Sequence, residues 1–223
     1  MSIAENIIKL RSLLPSDVEM VAVSKFHPAE MIMEAYKAGQ KNFGESRVQE
    51  FLEKITLLPK DINWHFIGHL QTNKVKSIIG KTYLIESVDI VKLLDLIDKE
   101  SIKAGLKTKV LLQVHVAEEE TKFGFYPDEL KDYFKSGNFS SLNGVEICGL
   151  MGMATNTDNE ARIRKDFALI YDLYKGIKDE YLSDLPDFKI LSMGMSGDWK
   201  LAVEEGSNMV RIGSAIFGDR VYN

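Results

Sequence analysis

Apolar residues in this chain follow two alternating rhythms. Short runs of strand type lie at 20–24, 41–43, 64–67, 83–85, 110–116, 145–150, 188–192 and 209–212, eight in all. Between them, segments 28–38, 46–57, 72–79, 89–104, 127–136, 158–182 and 197–205 space their apolar side chains three and four apart, the period of a helix packed on one face. Ahead of the first run, Ile3, Ile7, Leu10 and Leu14 predict an amphipathic helix over 3–14. A capping box opens it, with Ser2 accepting from the Glu5 N–H while Glu5 reaches back. Pro28 and Pro127 stand where a first-turn proline is tolerated. Asp89 and Thr157 are candidate N-caps, and Gly39, Gly105 and Gly206 follow predicted helix ends, where a left-handed residue is wanted.

Strict alternation of strand and helix implies a parallel sheet, because parallel strands need crossovers. Eight strands in 223 residues predict a single (β/α)8 TIM-type barrel with an extra N-terminal helix, spanning 1–223 as one domain. An open, doubly wound sheet is the rival arrangement. No linker or low-complexity tract divides the chain. Composition is ordinary for a globular protein, at 45% hydrophobic and 27% charged. A net charge of −5 speaks against a nucleic-acid partner. The single cysteine, Cys148, excludes an internal disulfide and reads as a small buried hydrophobe, consistent with a cytoplasmic setting. There is no signal peptide pattern and no apolar run long enough for a membrane span. The four histidines give no HExxH metal pattern.

In a parallel barrel the active site lies at the carboxyl ends of the strands. Glycine and polar residues gather there in strand after strand: Ser24-Lys25, Gly44-Glu45, Gly68-His69, Ser192 to Ser196, and Gly213-Ser214. Lys25 follows the first apolar run. It is either a surface lysine at a strand end or an amine drawn into the barrel mouth, where burial lowers a lysine's pKa and frees it to form imines. Ser196, ahead of the predicted helix 197–205, and the turn at Gly213 and Ser214 form either two plain glycine turns or the phosphate site that barrels build after strands seven and eight. Arg211, two residues before Gly213, is either a salt-bridged barrel arginine or a donor to the ring of a bound ligand. His65 reads as a satisfied barrel histidine, and His69 and Glu45 as loop residues. The run Glu118-Glu119-Glu120 reads as solvated loop, and Met151 and Met153 as residues packed near the rim.

Six blocks carry a resemblance. Ala22-Val23-Ser24-Lys25, Phe43-Gly44-Glu45, Trp64 to Lys74, Gly149-Leu150-Met151, Leu191 to Ser196 and Met209 to Gly218 resemble the YggS/PROSC family of pyridoxal 5′-phosphate (PLP) homeostasis proteins. The likeness runs from Lys25 to Tyr222. Ser46 departs from the asparagine common in the family after Phe-Gly-Glu. The resemblance implies a barrel like that of alanine racemase, with PLP as cofactor. It assigns the PLP imine to Lys25, the phosphate to Ser196, Gly213 and Ser214, and the pyridine nitrogen to Arg211. It implies B6 homeostasis without robust turnover. A binder that hands PLP to apo-PLP enzymes is the reading adopted; the others are a minimal amino-acid racemase or decarboxylase, a barrel aldolase whose Lys25 forms its imine with a sugar phosphate, and an interaction protein whose PLP is structural. An arginine facing the ring nitrogen keeps it unprotonated, which weakens the ring as an electron sink. The chain also has no room for the racemase β-domain, so an open mouth and a monomer are expected.

Overall fold

Eight strands pair in chain order and close on themselves in the computed structural model, which describes residues 2–119, 121–183 and 185–218. They are β1 (Glu19–Val23), β2 (Asn42–Glu45), β3 (Asn63–Phe66), β4 (Leu84–Val88), β5 (Thr108–Val114), β6 (Val145–Gly152), β7 (Ile190–Ser192) and β8 (Met209–Ile212). All pairings are parallel, and the barrel closes through β1 and β8, with Val21 opposite Arg211 and Ala22 opposite Ile212. The outer ring consists of α2 (Ala29–Lys37), α3 (Val48–Leu57), α4 (Val75–Ile78), α5 (Val91–Ala104), α6 (Pro127–Lys135), α7 (Glu160–Tyr181), α8 (Trp199–Glu204) and α9 (Ser214–Phe217). Helix α1 (Ile3–Leu13) precedes β1 and carries the expected Ser2–Glu5 capping box. The closed barrel displaces the open-sheet alternative.

The period of two along each strand sorts side chains into two cores. Outward residues such as Met20, Ala22, Phe43, Trp64, Phe66, Val210 and Ile212 pack under the helices. Inward residues Val21, Leu84, Leu111, Cys148, Met151 and Met209 form a separate plug inside the barrel. Met151 therefore belongs to this plug rather than to the rim, because the bulge between Val110 and Leu111 turns it inward. Gly149 makes that bulge possible: its φ is +152°, and a Cβ there would stand 1.8 Å from the Ile190 carbonyl oxygen. Cys148 is buried and its thiol is pushed up to about 12, by burial first and by Glu146 second, so it behaves as the expected inert hydrophobe.

Helix boundaries depart from expectation where side chains have other work. Asp89 does not cap α5, whose N-cap is Ile90 without a side-chain bond; Asp89 is instead buried against His69. Asn159, not Thr157, caps α7, and the Thr157 hydroxyl, two residues earlier, accepts from the Asn159 N–H. Pro28 is the N-cap of α2, while Pro127 holds the first turn of α6. The segment 72–79 divides into a 3-10 turn, Thr72–Lys74, followed by α4. The 3-10 helix Asn138–Ser141 and α9 were not expected. The acidic run is only partly solvated: Glu118 pairs with Arg162, and the Asn156 N–H holds the Glu119 carboxyl down to about 2. Glu120 and the tail through Tyr222 lie outside the described residues. Among the described residues no helix is long and apolar enough to cross a membrane, and no His, Cys, Asp and Glu cluster is placed to hold a metal.

Candidate functional site

Above the apolar plug, the inward positions turn polar. Glu86 on β4, His65 on β3, Ser192 on β7 and Arg211 on β8 are all buried. The Glu86 carboxylate accepts from His65 Nδ1 at 2.6 Å and from the Ser192 hydroxyl at 2.7 Å, and stands 3.8 Å from the Arg211 guanidinium. Arg211 donates to Ser192 O at 2.8 Å, Ser192 Oγ at 2.6 Å and Gly152 O at 2.8 Å. A guanidinium has five N–H donors, so at least two remain for a ligand. Burial alone would raise the Glu86 pKa; the His65 hydrogen bond and charge, the Arg211 charge and the Ser192 hydroxyl outweigh it, leaving Glu86 below the usual range. Burial draws Arg211 below its ordinary value, opposed by Glu86 and Asp198. It remains a cation, since its starting value is far above neutrality. His65 is satisfied only on one side: Nε2 is buried without a hydrogen-bond partner.

On the β8 side of the rim a side-chain hydroxyl gathers backbone N–H groups. The Ser196 hydroxyl accepts from the Gly213 N–H at 3.1 Å and the Ala215 N–H at 3.4 Å, so it sits over the start of α9. Sequence reading placed Ser196 at the start of α8; that helix is capped by Asp198, whose carboxylate takes the Met195 N–H. The relevant helix start is the unexpected one after β8, with Gly213 as N-cap and Ser214 exposed. Gly213 lies beside Val23, with the position a Cβ would take in ordinary contact with it at 3.4 Å.

Lys25 belongs to the same corner. Because β1 and β8 pair, Val23 lies beside Gly213, and Lys25 follows two residues later, in the turn that leaves β1. Its side chain is half-buried. His27, past the turn, stacks on Phe217 of α9 at 4.9 Å. The structure thus brings Lys25, Ser196, Arg211, Gly213 and Ser214 to one end of the barrel, around the β1–β8 seam.

Glu45 is no loop residue. It ends β2 fully buried, taking the Ser24 hydroxyl at 2.5 Å and Lys54 Nζ at 2.7 Å. Burial pushes its carboxyl up to about 7, against the pull of Lys54 and Ser24 and with help from the Glu50 charge. In the unfolded chain a glutamate ionises near 4.5. The folded state is therefore favoured by this group below that pH, and the advantage is lost as pH rises to about 7. Glu45→Gln should flatten that part of the stability profile by roughly 3 kcal/mol, read from urea midpoints at about pH 5 and about pH 8. A profile unchanged by the substitution would contradict this assignment.

His69 is at the rim, as expected, but engaged: Nδ1 meets Asp89 at 2.8 Å and the ring stacks on Phe123 at 3.8 Å. Sequence reading missed Glu86, Lys54, Glu50 and Asp89. For Glu86 a signal existed, a charge on the inward parity of an apolar strand; the others required tertiary pairing.

These features define a class of protein: a parallel barrel with a lysine after its first strand, a serine hydroxyl held on backbone N–H groups after its last, and a charged pair in its floor. The sequence profile described as "Alanine racemase, N-terminal domain" matches residues 1–221. The pyridoxal phosphate homeostasis protein of Aquifex aeolicus is 43% identical over 92% of this chain and 88% of its own length. That of Homo sapiens is 40% identical over 96% and 80%. The chain belongs to this family of pyridoxal phosphate homeostasis proteins. PipY of Synechococcus elongatus, solved without PLP, superposes with a TM-score of 0.92 at 38% identity, covering 97% of this chain and all of PipY; its PLP-bound structure gives 0.88. Alanine racemase of Clostridium difficile shares the fold alone, with a TM-score of 0.78 at 16% identity, covering all of this chain and 58% of the racemase.

Proposed function

We propose that this chain holds PLP at the β1–β8 corner of the barrel mouth, as an imine on Lys25, and serves PLP homeostasis by reversible capture and release. The observation that carries the reading is the seam itself: strand pairing sets the Lys25 turn beside a helix start whose N–H groups converge on the Ser196 hydroxyl. The residues fit the group. A phosphate dianion suits the hydroxyls of Ser196 and Ser214 and the first turn of α9. The buried Arg211 cation, with donors to spare, suits an unprotonated pyridine nitrogen. A relative solved with PLP bound supports PLP as the ligand.

Bound PLP supplies an aldehyde that condenses with an amine, releasing water, and a ring able to accept electrons from a substrate. Here Lys25 supplies the amine. Arg211, held charged by Glu86, keeps its proton and so does not protonate the ring nitrogen, which favours storage over carbanion chemistry. Apo-PLP enzymes are the recipients, and a monomer suffices for the site, since every residue named comes from one chain. Borohydride reduction of the PLP-loaded protein, followed by peptide mass analysis, should place the pyridoxyl group on Lys25. A label on any other lysine overturns the reading.

A further inference from the structure

Lys54 lies on α3, on the far side of β1 and β2 from the plug, yet its side chain is only 6% exposed. Its ammonium makes three hydrogen bonds: Ser24 O at 2.8 Å, Glu45 Oε1 at 2.7 Å and Glu50 Oε1 at 2.6 Å. Three donors are all an ammonium has, so the group is saturated. Glu50 Oε1 in turn accepts the Phe26 N–H at 2.6 Å. Glu45 Oε1 also takes the Ser24 hydroxyl. The cluster therefore grips the main chain on each side of residue 25, at the Ser24 carbonyl and at the Phe26 amide.

That grip opposes a cost. Phe26 has φ +67°, making it the only non-glycine with positive φ among the described residues. Such a backbone is strained and persists where surroundings over-determine it. The Arg47 guanidinium, 4.5 Å over the Phe26 ring, adds a lid to the same turn. Burying a lysine with two carboxylates is also expensive, and such clusters are weak devices for stability. Both costs fall on one short turn, and the side chain at its centre is Lys25.

We propose that Lys54, acting with Glu50 and Glu45, is the positioning residue for the Lys25 amine, locking the Ser24–Phe26 turn so that the amine faces the aldehyde of a ligand seated by its phosphate. This rests on the reading of Lys25 as the imine lysine. The turn is held from behind by main-chain contacts, so the cluster sets where the amine stands without touching the ligand. Loosening it lets the turn leave its strained conformation and spreads the amine over many positions.

The test compares PLP with pyridoxine 5′-phosphate, which has an alcohol in place of the aldehyde and forms no imine. Wild type, Lys54→Met and Glu50→Ala are titrated with both ligands, with circular dichroism confirming the fold. Lys54→Met should weaken PLP about 10-fold or more while pyridoxine 5′-phosphate changes by less than about 2-fold. Glu50→Ala, which is partly exposed and spares the Lys54–Glu45 pair, should show the same selective loss at about 3-fold. It keeps the test decisive if Lys54→Met does not fold. Equal losses of both ligands, or no loss of PLP, overturn the proposal. Should wild type itself bind both ligands equally, the Lys25 imine fails first and the positioning role fails with it.

Discussion

Lys25→Ala should emerge colourless from PLP loading and gel filtration, where the wild-type protein retains a yellow imine band. The substitution removes the amine that condenses with the aldehyde but leaves the Ser196 hydroxyl, the first turn of α9 and Arg211 in place. What remains is an ordinary phosphate and ring site. Affinity for PLP should fall about 100-fold or more, equivalent to roughly 3 kcal/mol, while pyridoxine 5′-phosphate binds as before. The half-buried Lys25 is not part of the apolar core, and circular dichroism of the unloaded variant checks that the fold is kept. Absorbance after gel filtration and equilibrium dialysis with the two ligands read the result. A yellow band surviving in the variant would move the attachment to another lysine.

The barrel was legible because hydrophobic rhythm reports which faces are buried, and barrel strands bury both. All eight strand positions follow from it. The ends were less legible where one side chain had two possible partners. Asp89 has the residue type of an N-cap, yet a buried acid facing His69 gains more from that pairing than from an exposed helix end. The expected strand at 83–85 stops short of Glu86, since a charge normally ends an apolar run; β4 continues because His65 and Ser192 satisfy it inside the barrel. At the candidate site, Lys25, Ser196, Arg211, Gly213 and Ser214 were visible as polar and glycine residues at strand ends. The supports behind them were not. Lys54 looks like any helix lysine in sequence, and only the packing of α3 on β1 and β2 reveals a buried ammonium.

Glu86→Leu should cost about 3–5 kcal/mol of folding stability, the range expected when one member of a buried charged cluster is removed. The variant leaves the Arg211 guanidinium in the barrel without its countercharge and strips an acceptor from both His65 Nδ1 and the Ser192 hydroxyl. Glu86→Gln should recover little, since its amide cannot accept from His65 and Ser192 at once without turning its NH2 toward one of these donors. The pH dependence adds a second signature. Glu86 is held below the usual carboxylate range, so its contribution is complete above the unfolded value of 4.5 and fades as pH falls through the lower folded value. The variant should therefore lose stability at neutral pH yet approach wild type in acid. Charge compensation makes a further demand: Glu86→Leu with Arg211→Met should regain part of the lost stability, because the uncompensated buried cation is gone while His65 Nδ1 and the Ser192 hydroxyl still lack their acceptor. That double variant should still bind PLP poorly, as the ring nitrogen has lost its donor. Urea midpoints at neutral and acid pH, with PLP titration of the refolded double variant, separate the two roles. If the double variant is no more stable than Glu86→Leu alone, Arg211 is not the charge that Glu86 neutralises, and the floor of the site is held by His65 and Ser192 instead.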